Sequence, residues 1–101
     1  MKNLPRGVYT FFDASTGHIT QKDDELIKNC EFPLSAYEYE CGYFIFSGVT
    51  STDEAEVDRL REFGMSEAFI RIWKRAAELD CWYLRLDCDG IFHDDFETFD
   101  W

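Results

Sequence analysis

The chain has 101 residues and a formal net charge of -11, with 21 acidic residues against 10 basic ones. This length is enough for one domain, residues 1–101, and too short for two. Apolar residues make up 46% and aromatic residues 18% of the chain, which excludes a disordered acidic tail and supplies a hydrophobic core. The acidity argues against direct nucleic-acid binding, because phosphate contacts need clustered lysine and arginine.

The negative charge is concentrated in the second half of the chain. Residues 1–50 hold four basic and seven acidic residues, whereas residues 51–101 hold six basic and fourteen acidic residues. The four cysteines form no C-x-x-C pair, and no apolar signal-peptide region precedes them. We therefore expect reduced thiols in a cytoplasm. No apolar run approaches the length that spans a membrane.

The first elements in chain order are a strand and a helix. Gly7–Asp13 is rich in β-branched and aromatic residues, which favours a strand. Thr20 is a candidate helix N-cap, and Asp23 three residues later gives a start that resembles a capping box. The helix is expected to run from about Gln21 to Asn29.

The next region alternates aromatic and acidic residues over Ala36–Cys41, which is typical of a half-exposed strand, and continues as the more buried Tyr43–Phe46. Gly42 between them is either a bulge in one long strand or a turn between two strands. We expect one bent strand, because a single glycine is a short connection for a hairpin. Glu38 and Glu40 share one face, which the alternation predicts to be exposed.

The second half begins with two helices. Ser51 and Glu54 fit a capping box, and Gly64 is a suitable C-terminal stop for the helix that follows. Ser66 then caps a third helix, expected over Glu67–Leu79 from its apolar stripe.

The last elements are strands. Trp82–Asp87 predicts a strand, the Asp89-Gly90 pair indicates a hairpin turn, and Ile91–His93 is expected as a short return strand. Strands and helices mix without regular alternation. The predicted fold is therefore α+β, with a small, mainly antiparallel sheet and about three helices packed on one face.

No pattern of catalytic or metal-ligating residues stands out. His18 and His93 lie outside any metal-binding spacing, and no phosphate-loop, dinucleotide or nucleophile-elbow motif occurs. Asp87 and Asp89 resemble the start of an acidic metal loop, but the further ligands are missing, and a hairpin turn explains them. We expect no enzyme activity, no cofactor and no metal.

Surface carboxylates can imitate a phosphate backbone, which in duplex DNA carries about one charge per 1.7 Å of axis. The acids fall on two elements, the helix after Ser51 and the segment after Asp80. A merely solvated acidic face remains the plainer alternative, and exposed aromatics such as Trp82 or Tyr83 are alternative binding residues. The candidate partner-binding residues are Asp53, Glu54, Glu56, Asp58, Asp87, Asp89, Asp94, Asp95, Glu97 and Trp101.

Three short motifs resemble those of a small family of uncharacterised proteins carried by bacterial plasmids, prophages and genomic islands. They are His18–Thr20 (HIT), followed by an acidic helix with Asp24 and Leu26; Leu60–Ala68 (LREFGMSEA); and the terminal Phe99–Trp101 (FDW). The resemblance implies a setting beside anti-restriction genes in a bacterial host cell.

This resemblance, together with the acidity, leads to a functional expectation. The protein is expected to be an acidic inhibitor of the anti-restriction or anti-CRISPR type. Its partner would be a host protein with a basic, nucleic-acid-binding surface, held by DNA mimicry. The alternative is an antitoxin-like or immunity-like module that covers a basic partner surface.

Overall fold

The computed structural model describes residues 5–29, 31–47 and 54–101. These residues form four strands, three α-helices and one 3₁₀ turn, so the predicted α+β class is confirmed. No helix in the described ranges is long and apolar enough to cross a membrane. The elements in chain order are β1 (Phe11–Ser15), the 3₁₀ turn (Thr16–His18), α1 (Gln21–Ile27), β2 (Ala36–Tyr39), β3 (Gly42–Phe46), α2 (Glu54–Phe63), α3 (Glu67–Glu78) and β4 (Tyr83–Asp87).

The four strands form one mixed sheet in the order β1-β4-β3-β2. Strand β4 runs parallel to β1 and antiparallel to β3, and β2 pairs antiparallel with β3. Because neighbours occupy both edges of β4, no strand can return beside it. The predicted return strand Ile91–His93 is therefore wrong. Instead, the Ile91 carbonyl accepts a hydrogen bond from Ser15 N at 2.9 Å.

The prediction of one bent strand around Gly42 is also wrong. Tyr39 pairs with Gly42, so β2 and β3 form a hairpin closed by a two-residue loop, Glu40 and Cys41. Gly42 itself begins β3 where that strand lies against β4. A β-carbon on Gly42 would lie 1.9 Å from the Leu86 carbonyl oxygen, so this close approach admits only glycine.

The helix boundaries follow their capping residues. Thr20 and Asp23 form a complete capping box at the start of α1. Gly64 ends α2 with a φ of +111°, and the Ser66 hydroxyl caps α3. Ser51, the expected cap of α2, lies outside the described residues. The first strand begins later than the predicted Gly7, because pairing with β4 rather than composition decides its bounds.

The three helices pack on one face of the sheet, as predicted. Alternation along β4 directs Leu84 and Leu86 to the helices, and Tyr43 and Ile45 of β3 lie beside them. Trp73 of α3 is buried in the core, and its indole N–H donates to the Phe46 carbonyl at 3.2 Å. The buried cluster consists of Ala14, Ile19, Ile27, Tyr43, Ile45, Val57, Leu60, Met65, Phe69, Ile70, Ile72, Trp73, Ala76, Leu84 and Leu86.

A single carboxylate, that of Asp23, joins the N-termini of α1 and α3. It is only 1% exposed. One of its oxygens accepts from Thr20 N at 3.0 Å and from the Ser66 hydroxyl at 2.6 Å, and the other accepts from Ser66 N at 2.9 Å. Both helix dipoles have their positive ends here, which favours a negative charge.

We predict that Asp23→Asn lowers the free energy of unfolding by about 2–3 kcal/mol, because an amide nitrogen cannot accept the bonds that one carboxylate oxygen accepts. Urea denaturation followed by circular dichroism measures the change. Glu25→Gln, an exposed residue on the same helix, is the matched control and should change stability by less than about 0.5 kcal/mol. Equal effects of the two substitutions would contradict this role.

Candidate functional site

The face of the sheet opposite the helices is lined by aromatic rings. Strand register places Phe11 opposite Tyr83, Tyr83 opposite Phe46, and Phe44 opposite Tyr37, all on this side. The helices cover the other side, because the large aliphatic residues of β3 and β4 point there. We call this surface the aromatic face. It comprises Tyr9, Phe11, Tyr37, Tyr39, Phe44, Phe46, Trp82 and Tyr83.

The rings of the aromatic face contact one another mainly edge to face. Phe11 and Phe44 meet over β4 with centroids 5.4 Å apart and planes at 89°. Tyr83 contacts Phe44 at 6.2 Å and Tyr37 at 6.4 Å in the same manner. Each such pair contributes about 0.5–1.5 kcal/mol beyond its buried area. The face is thus a fixed platform of mutually supported rings.

Much of this platform is open to solvent. Tyr9 and Tyr37 are each 58% exposed, and Phe11 is 44% exposed. Between them lies a shallow depression of about 350 Å³ lined by Tyr9, Thr10, Phe11, Tyr37, Phe44 and Tyr83. Contiguous apolar surface of this kind marks interaction sites in soluble proteins, whereas isolated exposed apolar residues do not.

The same side of the sheet is polar near the C-terminal ends of β1 and β4. Arg85 Nε donates to Asp13 Oδ1 at 3.0 Å, and its guanidinium lies 3.8 Å from Asp87 Oδ2. The Tyr39 hydroxyl donates to Asp87, and Asp89 N donates to the other Asp87 oxygen at 2.7 Å. The Tyr39 hydroxyl and the Asp89 N–H both stabilise the ionised carboxylate and lower the pKa of Asp87.

Asp87, one of the predicted partner-binding acids, is therefore an internal carboxylate. It is 7% exposed, and both its oxygens accept hydrogen bonds from neighbouring groups. Its position in β4 explains this, since it follows Leu86 at the end of a central strand. Binding to a partner through Asp87 would require these bonds to break.

Two of the predicted acids on α2 pair with arginines of the same helix, although Arg61 lies closer to Glu67 of α3 than to Asp58. Glu56 pairs with Arg59 at 2.9 Å, and Asp58 pairs with Arg61 at 3.4 Å. Glu54 is exposed at the first position of α2. Asp53 lies outside the described residues. Surface pairs of this kind contribute little stability, but they reduce the negative potential of the helix.

The acids of the C-terminal segment are different. Their side chains are exposed, and none of them makes an ion pair with any residue of the described ranges. They are Asp89, Asp94, Asp95, Glu97 and Asp100. Trp101, the predicted aromatic contact, is 49% exposed, and its indole N–H donates to the Ile19 carbonyl at 2.8 Å. One side of this indole therefore holds the segment in place.

The two histidines also hold the C-terminal segment. Buried His18 accepts from His93 N through Nε2 at 2.8 Å, so its proton is on Nδ1, which donates to the Glu97 carbonyl at 2.7 Å. His93 stacks on Phe12 with centroids 4.6 Å apart. Both His18 nitrogens are thus bonded to the backbone. The imidazole has no nitrogen left for general base catalysis in this arrangement.

One acidic cluster has donor atoms at metal-ligating distances. Ligand atoms of Asp87, Cys88 and Asp89 lie within 4.8 Å of one another. The Asp87 oxygens already accept hydrogen bonds, and Asp89 N supplies one of them in a tight turn. These residues thus form a tight turn, with Gly90 N donating to the Asp87 carbonyl at 2.9 Å, but the turn does not join two strands as predicted.

The sequence carries only part of the signal for the aromatic face. Tyr37 and Tyr39 are two residues apart, as are Tyr83 and Arg85, so each pair is predicted to share one face of its strand. The two pairs belong to one surface only because β4 lies between β1 and β3, which the sequence does not show. Glu38, predicted to be exposed, is exposed, but Tyr37 on the opposite side of β2 is exposed as well. The reason is that none of the described helices covers the face on which Tyr37 lies.

The Tyr39–Asp87 contact predicts a pH dependence. Burial and the bond to Asp87 raise the pKa of Tyr39 to about 12. Since this folded-state pKa lies above the unfolded value, the contribution to stability is complete below about pH 10 and is lost as pH rises toward 12. The difference in tyrosinate absorbance between the wild type and Tyr39→Phe should have its midpoint near 12. An unshifted midpoint near pH 10 would refute the contact.

Comparison with known proteins gives a family and no characterised relative. No curated protein and no solved structure matches the chain significantly. Residues 11–101 match the C-terminal domain of DUF5983, a family of unknown function. The match begins at the first residue of β1 and includes the aromatic face except for Tyr9. The chain therefore belongs to the DUF5983 family.

Proposed function

We propose that the protein is a binding module that inhibits its partner by covering a basic, arginine-rich surface with the aromatic face. One observation carries this proposal: a whole face of the sheet presents mutually packed aromatic rings that no element of the described chain covers. Aromatic residues dominate the energetics of protein interfaces because they bring large area at low conformational cost.

Charge decides which partner suits this face. Aromatic sheet faces also stack nucleic-acid bases, but such sites combine the rings with a positively charged groove. Arg85 is the one cation that the described strands place on this side of the sheet, and it is paired with Asp13. With a net charge of -11, the protein would repel a phosphate backbone. A cationic protein surface fits both the charge and the rings.

The face already accommodates one guanidinium group. Arg85 Cζ lies 5.1 Å from the centroid of the Phe11 ring, which is a cation–π arrangement. Exposed Tyr9 and Tyr37 offer further ring faces of the same kind. An arginine of the partner could stack on these rings as Arg85 does on Phe11.

The exposed acids of the C-terminal segment, which form no ion pair within residues 5–29, 31–47 and 54–101, support the same partner. Exposed carboxylates with no internal cation give a negative potential that accelerates association with a basic surface. If the protein mimicked DNA, these acids would contact the partner directly. If the aromatic face makes the contact, the acids mainly attract the partner from a distance. We favour the second assignment, because Glu56 and Asp58 of α2 are paired with arginines and Asp87 is internal.

Basic nucleic-acid-binding proteins of bacterial host defence are the partners that we propose, in the cytoplasm and without catalysis by this chain. Restriction enzymes and CRISPR effector complexes expose such surfaces for DNA or RNA. An antitoxin-like or immunity-like role would use the same chemistry on a basic toxin. The partner itself distinguishes these two roles.

We predict that an arginine-rich peptide binds several-fold more tightly than a lysine-rich peptide of equal length and charge, because guanidinium stacks on aromatic rings. Phe11→Ala combined with Tyr37→Ala should weaken the arginine peptide about tenfold, as measured by calorimetry. Ile91→Ala, an exposed apolar residue outside the aromatic face, is the matched control. Equal binding by all three proteins would refute the role of the aromatic face.

The two groups of acids give a second prediction. Changing Asp94, Asp95 and Glu97 to their amides should slow association and flatten its salt dependence, while the preference for arginine over lysine persists. Amides at Glu54, Glu56 and Asp58 remove the same number of charges from α2 and should have a smaller effect. Loss of the arginine preference in the first variant would favour mimicry by the C-terminal acids over the aromatic face.

A further inference from the structure

Two cysteines face each other across adjacent strands. Cys41 lies in the β2–β3 hairpin loop, and Cys88 directly follows β4. The antiparallel register pairs Gly42 with Asp87, so the next position pairs Cys41 with Cys88. Cys88 N donates to the Cys41 carbonyl at 2.8 Å, which extends the ladder to this pair.

The spacing of such a pair suits a covalent bond. Residues that face each other at a hydrogen-bonded position of an antiparallel ladder have α-carbons about 5.5 Å apart, which falls within the range of disulfides. The Cys41 thiol lies beside the Cys88 thiol, and this contact raises the pKa of Cys88, with further contributions from burial and from the Asp89 carboxylate. Both groups are therefore close enough to react with each other.

The pair is also accessible. Cys41 and Cys88 are both exposed, whereas Cys81 is half-buried beyond the other end of β4. Both thiols line a shallow depression of about 200 Å³ beside Trp101. A small tripeptide disulfide can reach this depression from solvent.

We propose that Cys41 and Cys88 are a site of reversible oxidative modification, closed to an intramolecular disulfide by exchange with a small disulfide such as glutathione disulfide. One cysteine thiolate attacks a sulfur of glutathione disulfide, forming a mixed disulfide and releasing one glutathione thiolate. The second cysteine thiolate then attacks the protein sulfur of the mixed disulfide and releases the second glutathione. The two protons of the cysteine thiols end on the two glutathiones, which carry away the two electrons.

The bond would lock the hairpin loop to the end of β4. It would cross-link the β2–β3 hairpin to β4, the last strand in sequence, next to the Tyr39–Asp87 contact. Because the closed loop runs from residue 41 to residue 88, the cross-link restricts the unfolded chain over nearly half its length. This inference is independent of the proposed binding function.

The test incubates the purified protein with glutathione disulfide and measures the intact mass, the cross-linked peptides and the melting temperature. We expect the mass to fall by that of two hydrogen atoms and a single cross-linked peptide to join Cys41 to Cys88. The melting temperature should rise by about 10 °C. Dithiothreitol should reverse all three changes.

Two variants make the result decisive. A protein with Cys30→Ser and Cys81→Ser retains only the proposed pair and should form the bond as the wild type does. Cys88→Ser should instead accumulate glutathione adducts without losing two hydrogens internally. The proposal is overturned if the wild type carries only adducts, if the link involves Cys81 or Cys30, or if the Cys30/Cys81 variant forms no bond.

Discussion

The arrangement of the helices depends on one buried carboxylate. Burying a charge is costly unless it is well compensated, and in the described structure Asp23 has hydrogen-bond donors rather than a cation as partners. Its three donors belong to the caps of α1 and α3, so one side chain fixes two helix starts relative to each other. Next to it, Asp24 accepts from the Tyr43 hydroxyl at 2.8 Å, which attaches α1 to β3. Together these bonds fix the starts of α1 and α3 relative to each other and attach α1 to β3, on the side of the sheet to which the aliphatic residues of β3 and β4 point.

The three motifs noticed in the sequence meet around the start of α1. Thr20 of the first motif and Ser66 of the second both bond Asp23. The backbone of the third motif bonds the 3₁₀ turn, with Phe99 N donating to the Gly17 carbonyl at 2.7 Å. These motifs thus describe how the chain is held together rather than where it acts. The acting surface that we propose lies on the opposite side of the sheet and is built from aromatic residues that only strand pairing brings together.

Local signals predicted the helices well and the sheet only in part. Capping residues such as Thr20, Ser66 and Gly64 act within a few residues, so their effect can be read from the sequence alone. Strand pairing is not local. Because β4 lies between β1 and β3, Gly42 lies close to β4 and no return strand can pair beside β4. The same order gathers aromatic residues on one face, from all four strands and from the segments beside β1 and β4. The prediction of partner-binding acids was limited in a similar way. Composition shows neither the arginine pairs of α2 nor the internal hydrogen bonds of Asp87.

The central position of β4 also has a kinetic consequence. Strand β1 and the β2–β3 hairpin do not pair with each other, and the last strand in sequence has to lie between them to join them in one sheet. Asp13 and Arg85, which bond across the β1–β4 pair, are 72 residues apart. Closing so long a loop must precede the gain from pairing, and contacts between distant residues slow folding. Until β4 arrives, β1 has no partner in this sheet and the hairpin has two unpaired edges, so the aromatic face does not exist as a surface in any partly folded chain that lacks β4.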